Sequence, residues 1–448
     1  MPVHVIDSLF FRDLYGTAEM RAVFDDLNLL QKWLDFEAGL ARAEAALGFV
    51  PVEAAAEITR QAHASHMDIE AIKRGVDETV HPLVALIWQL SERCAGDAGR
   101  YVHWGATTQD VMDTALILQL KEAYPLFETS LSDLIDAAGE LAGKHRDTLM
   151  AGRTHGQQAL PITFGFKVAV WVAELRRHQE RFAACKARVL IGEFGGAVGT
   201  LASVGADGLA IQARLMQELG LNVPEIAWHT ARDHLAEFAS VLGMITATLG
   251  KIAHEIILLQ KPEFGEVEEP FAMGKVGSST MPQKRNPMLC EAIMTLSRLT
   301  RAQTLIAFDA MNHEHERDWS SFQMEWAYLP ELCVMTHGAL QMTLRVLRDL
   351  RVYPDAMTRN LDVTRGTLLA ERVMLELGRF VGRQTAHDLI YEAAMEAFEQ
   401  RRPFADVLKE RPAITAHLSA ARIEALLNPA EYVGLSGVFV DRVRTSSS

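Results

Sequence analysis

The sequence is poor in the features that mark secreted, membrane and metal-binding proteins. It has four cysteines in 448 residues, and no two of them form a CxxC pair that would indicate a disulfide frame or a zinc site. No run approaches the roughly 18 consecutive apolar residues that cross a bilayer. The N-terminus "MPVHVIDSLFFRDLYG" lacks the basic and apolar regions of a secretion signal. We therefore expect a cytoplasmic globular protein with no membrane partner.

Positive charge and strand-like alternation are also scarce. The formal net charge is -14 at pH 7, whereas general nucleic-acid binding requires a basic surface. Nucleic acid is therefore not expected as a partner. A chain of 448 residues is too long for one simple core, so two or three subdomains are expected.

Helical periodicity dominates instead. In "HLAEFASVLGMITATLGKIAHEIILLQ", apolar residues recur at every third or fourth position over residues 235–259, which predicts a coiled-coil-like seam. Further long helices are predicted over 111–144, 162–189 and 290–310, and Pro125 predicts a kink or a restart in the first of these. Such helices indicate a bundle, either monomeric or oligomeric through a leftover apolar stripe.

Breaks near residue 105 ("HWGATTQD") and near residue 365 ("DVTRGTLLA") predict the domain organisation. The expected parts are an N-terminal helical domain over 1–108, a central long-helix bundle over 109–364, and a C-terminal helical domain over 365–448.

Two polar loops adjoin predicted helix starts. In "HWGATTQDVMDT", Thr107, Thr108 and Gln109 precede an apolar-periodic helix, where they are either ordinary caps or a carboxylate site. In "GRTHGQQALPITFG", Thr154 and His155 lie between two glycines. This histidine is either a structural hydrogen-bonding group or an acid–base group, since imidazole titrates near neutrality.

A third loop, "GSSTMPQKRNP", carries two prolines and a glycine that exclude a continuous helix. Lys275, Lys284 and Arg285 concentrate positive charge around Ser278 and Ser279. A serine is a poor base unless neighbouring cations and N–H groups stabilise its alkoxide, and Lys284 with the following helix start could do so. The alternative is a solvated surface loop.

The stretch "NHEHERD" offers His313, Glu314, His315 and Glu316 as metal ligands. Residues at i and i+2 of a helix do not share a face, and the HExxH pattern is absent. No metal site is expected there.

Together the three loops resemble the fumarase/aspartase (fumarate lyase) superfamily. Its signature GSSxMPxKxNP stands complete as "GSSTMPQKRNP", and the two other family regions follow the family order as "GATTQD" and "GRTHGQ". The resemblance runs from "WLDFEAGLARAEAALGFVP" to "LNPAEYVG". It implies an all-α, three-domain fold, a homotetramer with a twenty-helix core, active sites each assembled from three subunits, and no cofactor.

The resemblance also implies a role for each matching residue. Ser278 would be the general base that removes a proton alpha to a carboxylate, and His155 would protonate the leaving group. His81, in "DETVHPLV", falls where adenylosuccinate lyases carry a second active-site histidine. The residues expected to bind the substrate are Thr107, Thr108, Gln109, Thr154, Ser279, Lys284, Asn286, His81 and Arg317.

Two branches of the superfamily compete. "WHTARDHLAEFASVLG" looks like bacterial 3-carboxy-cis,cis-muconate cycloisomerases, which close a lactone ring. The "RTHGQ" and "HERD" stretches look like adenylosuccinate lyase, which breaks a C–N bond to release fumarate. Leu14 replaces the arginine of that family's phosphate-binding Arg-Tyr pair, and Phe322 and Trp326 stand where its polar and basic residues stand. The site is therefore expected to be more apolar than a nucleotide site.

The resemblance predicts an enzyme that releases fumarate by β-elimination from a succinyl-like polycarboxylate, with C–N or C–O cleavage. Cycloisomerisation is the first alternative. A non-catalytic structural oligomer is the second, because the superfamily includes recruited lens proteins.

Overall fold

The structure is a computed structural model that describes residues 4–271, 281 and 283–445. Helices account for 70% of the chain, which confirms the mostly helical fold. The described strands are short and form two separate antiparallel pairs, which the all-α prediction did not include.

The bounds of the elements follow the chain. The helices are α1 (Arg12–Tyr15), α2 (Ala18–Val23), α3 (Asp26–Ala46), α4 (Val52–Gln61), α5 (Ile69–Thr79), α6 (Val84–Arg93), α7 (Thr108–Lys144), α8 (Phe164–Val189), α9 (Gly208–Leu219), α10 (Asp233–Gln260), α11 (Met288–Asp309), α12 (Trp319–Arg348), α13 (Pro354–Leu361), α14 (Ala370–Val381), α15 (Arg383–Glu399), α16 (Phe404–Lys409), α17 (Pro412–Thr415), α18 (Ala420–Leu426) and α19 (Ser436–Thr445). The strands are β1 (Leu149–Thr154), β2 (Gln157–Thr163), β3 (Val267–Glu268) and β4 (Arg351–Val352).

The predicted long helices lie within a few residues of their expected bounds. Helix α7 runs unbroken through Pro125, so the restart that this proline predicted does not occur. Helix α8 begins at Phe164 rather than residue 162, because the chain up to Thr163 belongs to β2. The short strand pair preceding α8 was not foreseen.

The apolar seam of α10 faces the protein core. All eight seam residues are at most 2% exposed: Leu235, Phe238, Leu242, Ile245, Leu249, Ile252, Ile256 and Leu259. By length and composition α10 would be able to cross a membrane, but 56% of its most apolar window is buried inside the protein. Such burial is typical of a core helix.

Helices α10 and α11 approach each other closely at a glycine. A Cβ atom built on Gly243 would lie 2.5 Å from Cγ2 of Thr304, so a larger residue there would push the helices apart. One turn further on, the Thr300 hydroxyl donates a 2.8 Å hydrogen bond to Oγ1 of Thr246. The seam therefore includes a specific polar contact as well as apolar packing.

The chain divides into two compact units whose boundaries fall within the long helices. Unit 1 comprises Met1–Leu131, His178–Ala247 and Thr295–Leu340. Its core contains four packed aromatic rings, with Tyr124 and Phe182 separated by 4.6 Å between centroids and Phe127 and Phe238 by 6.4 Å.

Unit 2 comprises Ser132–Arg177, Thr248–Met294 and Gln341–Ser448. Helices α14 to α18 of this unit share a buried apolar cluster that includes Leu377, Ile390, Phe404 and Ile423. The cluster lies wholly within 365–448, the region expected to form a C-terminal domain. The three-domain division itself stays a prediction.

Candidate active site

In unit 1, the loop before α7 is fixed by Asp110. Thr107 is the residue before the helix, and its backbone N–H donates to Oδ2 of Asp110 at 2.9 Å. A carboxylate three residues into a helix that accepts this N–H is one half of a capping box. The ordinary capping function predicted for this stretch is therefore present, and it positions Thr108 and Gln109.

The Thr108 hydroxyl bonds to the imidazole of His81. Nδ1 of His81 accepts long hydrogen bonds from the backbone N–H groups of Leu83 and Val84, at 3.4 and 3.3 Å. The proton of the neutral ring must then lie on Nε2, which is 3.1 Å from Oγ1 of Thr108. Burial and the neighbouring His103 lower the pKa of His81 below its usual 6.5. His81 is thus a neutral imidazole that donates to Thr108.

Gln109 is 1% exposed, and both ends of its amide are bonded. Its Nε2 donates to the backbone carbonyl of His229 at 2.8 Å, and its Oε1 accepts from Nε of Arg317 at 3.0 Å. The contact between Gln109 and the substrate stays a prediction. What the structure shows is a contact that orients Arg317.

Arg317 retains donor capacity. Its Nη2 atom is buried and has no hydrogen-bond partner among the described residues. An unsatisfied guanidinium N–H is costly unless a ligand pairs with it, and a carboxylate is its natural bidentate partner. Arg317, predicted as a substrate contact, is therefore oriented by Gln109 and still able to bind an anion.

The structure adds a residue to the predicted site. His103 has a left-handed backbone, with φ +62°, and its Nδ1 lies 2.7 Å from Oε1 of the buried Glu37. Although burial opposes it, the Glu37 carboxylate raises the pKa of His103 above its usual value. His103 begins the stretch "HWGATTQD", but its partner is 66 positions away, so no local pattern in the sequence indicates the pair.

His81 and His103 line the same small cavity. It has a volume of about 90 Å³, and Thr108 and Trp88 also contribute to its wall. The two imidazoles have opposite pKa shifts, one lowered and one raised. Paired groups with diverging pKa values are typical of acid–base sites.

A buried polar cluster lies behind the loop. Oδ1 of Asp110 accepts from Gly195 N at 2.9 Å and lies 2.7 Å from Nε2 of His229, and Oδ2 also accepts from Gly196 N at 3.0 Å. With the Thr107 contact, this one carboxylate joins three loops.

Among the described residues, Asp110, Glu193 and His229 form a group that could hold a metal ion, since their ligand atoms lie within 4.8 Å of one another. The backbone N–H groups already satisfy Asp110 on both oxygens, so the cluster is stable as a hydrogen-bonded network. Burial raises the pKa of Glu193 to about 8, in spite of the nearby His229. Oε1 of Glu193 is buried and has no hydrogen-bond partner among the described residues, so this oxygen is left for a proton or an ion to satisfy.

In unit 2, His155 occupies a tight hairpin turn. Strands β1 and β2 pair up to Thr154 and Gln157, and the two residues between them, His155 and Gly156, have φ values of +53° and +74°. Positive φ at both central positions is the geometry of a type I′ turn. The prediction placed this histidine near a helix start, whereas strand β2 separates it from α8. Thr154 and His155 are both exposed.

The hairpin is anchored next to the turn. Arg153 makes a bidentate salt bridge to the buried Glu266, with distances of 2.9 and 2.6 Å. Asn360 donates to the same carboxylate at 2.7 Å. The side chains before the turn are thus fixed, while the turn itself is accessible.

The signature loop is described only from its second half. Ser278, Ser279 and Lys275 lie outside the described residues. Lys284 is exposed and Asn286 half-buried. Arg285 does not add free positive charge, because it pairs with Glu268 at 2.9 Å.

The start of α11 is not free for the signature loop. The backbone N–H groups of Leu289 and Cys290 donate to the carboxylate of Glu269, each at 3.0 Å to Oε2. The expectation that this helix start stabilises an alkoxide is therefore wrong for these N–H groups. Within the described part of the signature loop, Lys284 is a cation that could stabilise a serine alkoxide.

Comparison with known proteins places the chain in a family. Residues 15–300 match the family described as lyase, and residues 366–443 match the family described as adenylosuccinate lyase C-terminus. The structure of a fumarate lyase from Mesorhizobium sp. BNC1 superimposes with a TM-score of 0.91 at 39% identity, covering 97% of this chain and 99% of that one. The chain belongs to the fumarate lyase superfamily. Because its relatives are lyases and a cycloisomerase, it is an enzyme.

Relatives within the fumarate lyase superfamily differ in their reactions. N-acetyl-S-(2-succino)cysteine lyases from Dickeya dadantii and Enterococcus italicus are each 44% identical over 99% of this chain and 97% of their own length. A 3-carboxy-cis,cis-muconate cycloisomerase from Pseudomonas aeruginosa is 44% identical over 96% of this chain and 95% of its own. The structure of the lactonizing enzyme from Pseudomonas putida has a TM-score of 0.92 at 38% identity, over 98% of both chains.

Proposed function

We propose that this enzyme releases fumarate from a 2-succinyl thioether of the N-acetyl-S-(2-succino)cysteine type. The observation that carries the proposal is the 44% identity, over nearly the whole chain, to two lyases of that name. The bond broken would be C–S, in place of the C–N or C–O bond expected from the sequence. The succinyl half supplies the two carboxylates that the predicted site is suited to bind.

The proposed reaction is redox-neutral. Ser278 removes the proton from the carbon alpha to one carboxylate, and its electron pair forms the carbon–carbon double bond of fumarate. The C–S bond breaks and its electron pair goes to sulfur, which takes a proton from the His155 side. Ser279, Lys284 and Asn286 stabilise the aci-carboxylate intermediate, as an oxyanion hole does.

The remaining residues hold the second carboxylate. In support of this, the Thr107 N–H is bonded to Asp110 and the Thr108 hydroxyl to His81. Arg317 contributes its Nη2, which has no hydrogen-bond partner in the part of the chain that the structure describes. Thr154 adjoins the exposed turn that carries His155. Each of these contacts with the substrate is part of the proposal.

A thiolate needs less acid assistance than an amine. A cysteine thiol ionises with a pKa of about 8.5, so sulfur can leave as a thiolate, whereas an amine nitrogen has to be protonated before it leaves. His155 should therefore matter less than Ser278 when sulfur leaves. Replacing a general base costs about 100-fold or more in kcat, whereas His155→Asn should cost about tenfold or less. Asparagine is the matched variant because it tolerates the positive φ of the turn.

We also propose that the enzyme is a cytoplasmic homotetramer with active sites shared between subunits. Helix α11 exposes Leu299, Leu305 and Phe308, at 41%, 66% and 50%. A run of exposed apolar side chains on one long helix favours burial against another copy. Light scattering should give about four times the chain mass of 49.7 kDa; a monomer would contradict the shared site.

The experiment that tests the function supplies the purified enzyme with N-acetyl-S-(2-succino)cysteine and follows fumarate by its ultraviolet absorbance and by mass spectrometry. Fumarate and N-acetylcysteine should form in equal amounts. Ser278→Ala should abolish the reaction, while Ser419→Ala, which removes the capping hydroxyl of α18, should not change it. No fumarate from the thioether would overturn the proposal.

The second candidate is 3-carboxy-cis,cis-muconate cycloisomerisation. It is favoured by the 44% identity to the Pseudomonas aeruginosa enzyme. In this reaction a carboxylate of the substrate adds to its own double bond, so a lactone forms and no fumarate is released. Supplying the muconate in the same assay distinguishes the two, since lactone formation without thioether cleavage would establish the second candidate.

A further inference from the structure

Three aromatic side chains at the start of α12 form one contiguous cluster, the aromatic ridge: Trp319, Phe322 and Trp326. The ring centroids of Trp319 and Phe322 are 5.6 Å apart, those of Trp319 and Trp326 5.5 Å, and those of Phe322 and Trp326 5.4 Å. Phe322 is 1% exposed and Trp326 is 39% exposed. The buried ring of Phe322 thus anchors the ridge, while the indoles of Trp319 and Trp326 remain partly exposed.

The aromatic ridge contacts the candidate active site directly. The Trp319 indole is stacked on the His81 imidazole, with 6.5 Å between centroids and 22° between planes. The same imidazole is bonded to Thr108. A group bound next to His81 and Thr108 would therefore meet the indole of Trp319.

A buried ion network holds the aromatic ridge in place. The guanidinium of Arg232 lies 5.5 Å from the centroid of Phe322. Asp113 holds this guanidinium through hydrogen bonds of 2.9 and 2.7 Å. Glu325, next to Trp326 on α12, holds it from the other side. The ridge is therefore a preorganised surface, which lowers the entropic cost of binding a ligand against it.

Indole faces favour soft, polarizable groups. A thioether sulfur makes favourable contacts with aromatic rings at about 5 Å, whereas an ether oxygen in the same place is less polarizable and gives up its hydrogen bonds to water. The carbon that carries the second carboxylate also carries the sulfur, so a carboxylate held at Thr108 brings the sulfur-bearing leaving group next to Trp319.

We propose that Trp319 is a specificity-determining residue that contacts the leaving group and selects a thioether over an ether. The inference rests on the proposed function, since it assigns the leaving-group side of the same site. The indole of Trp319 contacts the sulfur of the substrate, and other residues transfer the proton.

The test compares two substrates that differ in one atom: N-acetyl-S-(2-succino)cysteine and its analogue with oxygen in place of sulfur. In Trp319→Leu, kcat/KM for the thioether should fall about fivefold relative to that for the oxygen analogue, mostly through KM, as expected for one lost sulfur–aromatic contact. Trp319→Phe, which keeps an aromatic face, should recover most of the ratio. Phe398→Leu, which removes a ring 74% exposed on α15, should leave it unchanged.

A Trp319→Leu variant that slows both substrates equally, with an altered oligomeric state, would show a structural role and overturn the inference. If the wild type releases no fumarate from the thioether, the proposed function fails and calorimetry still tests Trp319. N-acetylcysteine should then bind the wild type about fivefold more tightly than N-acetylserine does, and the difference should vanish in Trp319→Leu. Equal binding of the two by the wild type would overturn the inference.

Discussion

The side-chain amide of Gln109 donates a 2.8 Å hydrogen bond to the backbone carbonyl of His229, while its other end accepts from Arg317. A residue that the family motif marks as a substrate contact is thus joined to the loop before α10 and to the arginine before α12. This makes Gln109 a positioning residue for Arg317 in the chain described here.

Gln109→Leu should leave Arg317 Nε and the His229 carbonyl without partners. Buried groups left unpaired cost about 1–3 kcal/mol each, so the melting temperature should fall and KM for the thioether should rise about tenfold. Gln119→Leu is the matched control, since Gln119 is on the same helix and donates an equivalent 2.8 Å bond to the Val23 carbonyl. It should lower stability without changing KM; an equal KM effect in both variants would contradict the positioning role.

His81 should titrate below 6.5, because burial and His103 both disfavour its charged form. Protonation would also place Nδ1–H against the N–H groups of Leu83 and Val84. Below 6.5 the unfolded chain takes up this proton more readily than the folded protein, so falling pH should lower the free energy of unfolding. NMR titration of the ring proton, assigned by its loss in His81→Asn, measures this directly. A pKa above 6.5 would refute the assigned tautomer.

Arg232→Met should be strongly destabilising. The variant leaves Asp113 and Glu325, both fully buried, without their counter-ion, and removing one partner of a buried pair costs about 3–5 kcal/mol. Chemical denaturation measures the loss. Arg214→Met breaks the more exposed pair with Glu218 and should cost less than about 1 kcal/mol. Similar losses in the two variants would show that the Arg232 network carries little of the stability.

Glu44→Met should stabilise the protein, increasingly so at high pH. The Glu44 side chain is fully buried, and neither carboxyl oxygen has a partner among the described residues. Burial, with a contribution from Glu37, raises its pKa from 4.5 to about 8. The folded protein therefore binds this proton more tightly than the unfolded chain, so wild-type stability should fall as pH rises from 4.5 to about 8.

Thermal denaturation of wild type and Glu44→Met between pH 5 and pH 9 tests this linkage. The difference should grow with pH and reach about 1–3 kcal/mol above the folded-state pKa. Glu53→Met, at an exposed position in the first turn of α4, should show no such growth. A difference independent of pH would mean that Glu44 is not held protonated.

The sequence predicted the long helices well because their signal is local and repeated. The seam of α10 is a three-four pattern over eight positions, and every one of them is buried. Pro125 does not restart the helix, because a proline in a long, packed helix can be accommodated when neighbouring helices supply the stability. The hairpin at His155 was missed because its strands are short and the type I′ signal, a residue before glycine, is weak without Asn or Asp.

The sequence predicted residues of the site only where they belong to a contiguous motif. His81 and Arg317 were identified by resemblance, but their side-chain partners Thr108 and Gln109 lie 27 and 208 positions away in the sequence. His103 pairs with Glu37 across 66 positions, and Asp110 meets Gly195 across 85. Neither pairing leaves a periodic signal. The contact of Glu269 likewise leaves no periodic signal. Its carboxylate accepts a hydrogen bond from the start of α11, which the sequence analysis had assigned to the signature loop.

Asp110 is a single carboxylate on which three loops converge, through Thr107, through Gly195 and Gly196, and through His229. Each loop has to keep its anchor atom at a fixed place, so an insertion or deletion in any one of them would detach it from the other two. Length changes among enzymes built on this frame should therefore accumulate away from these loops, and loop-grafting experiments that alter reaction type will have to exchange all three together.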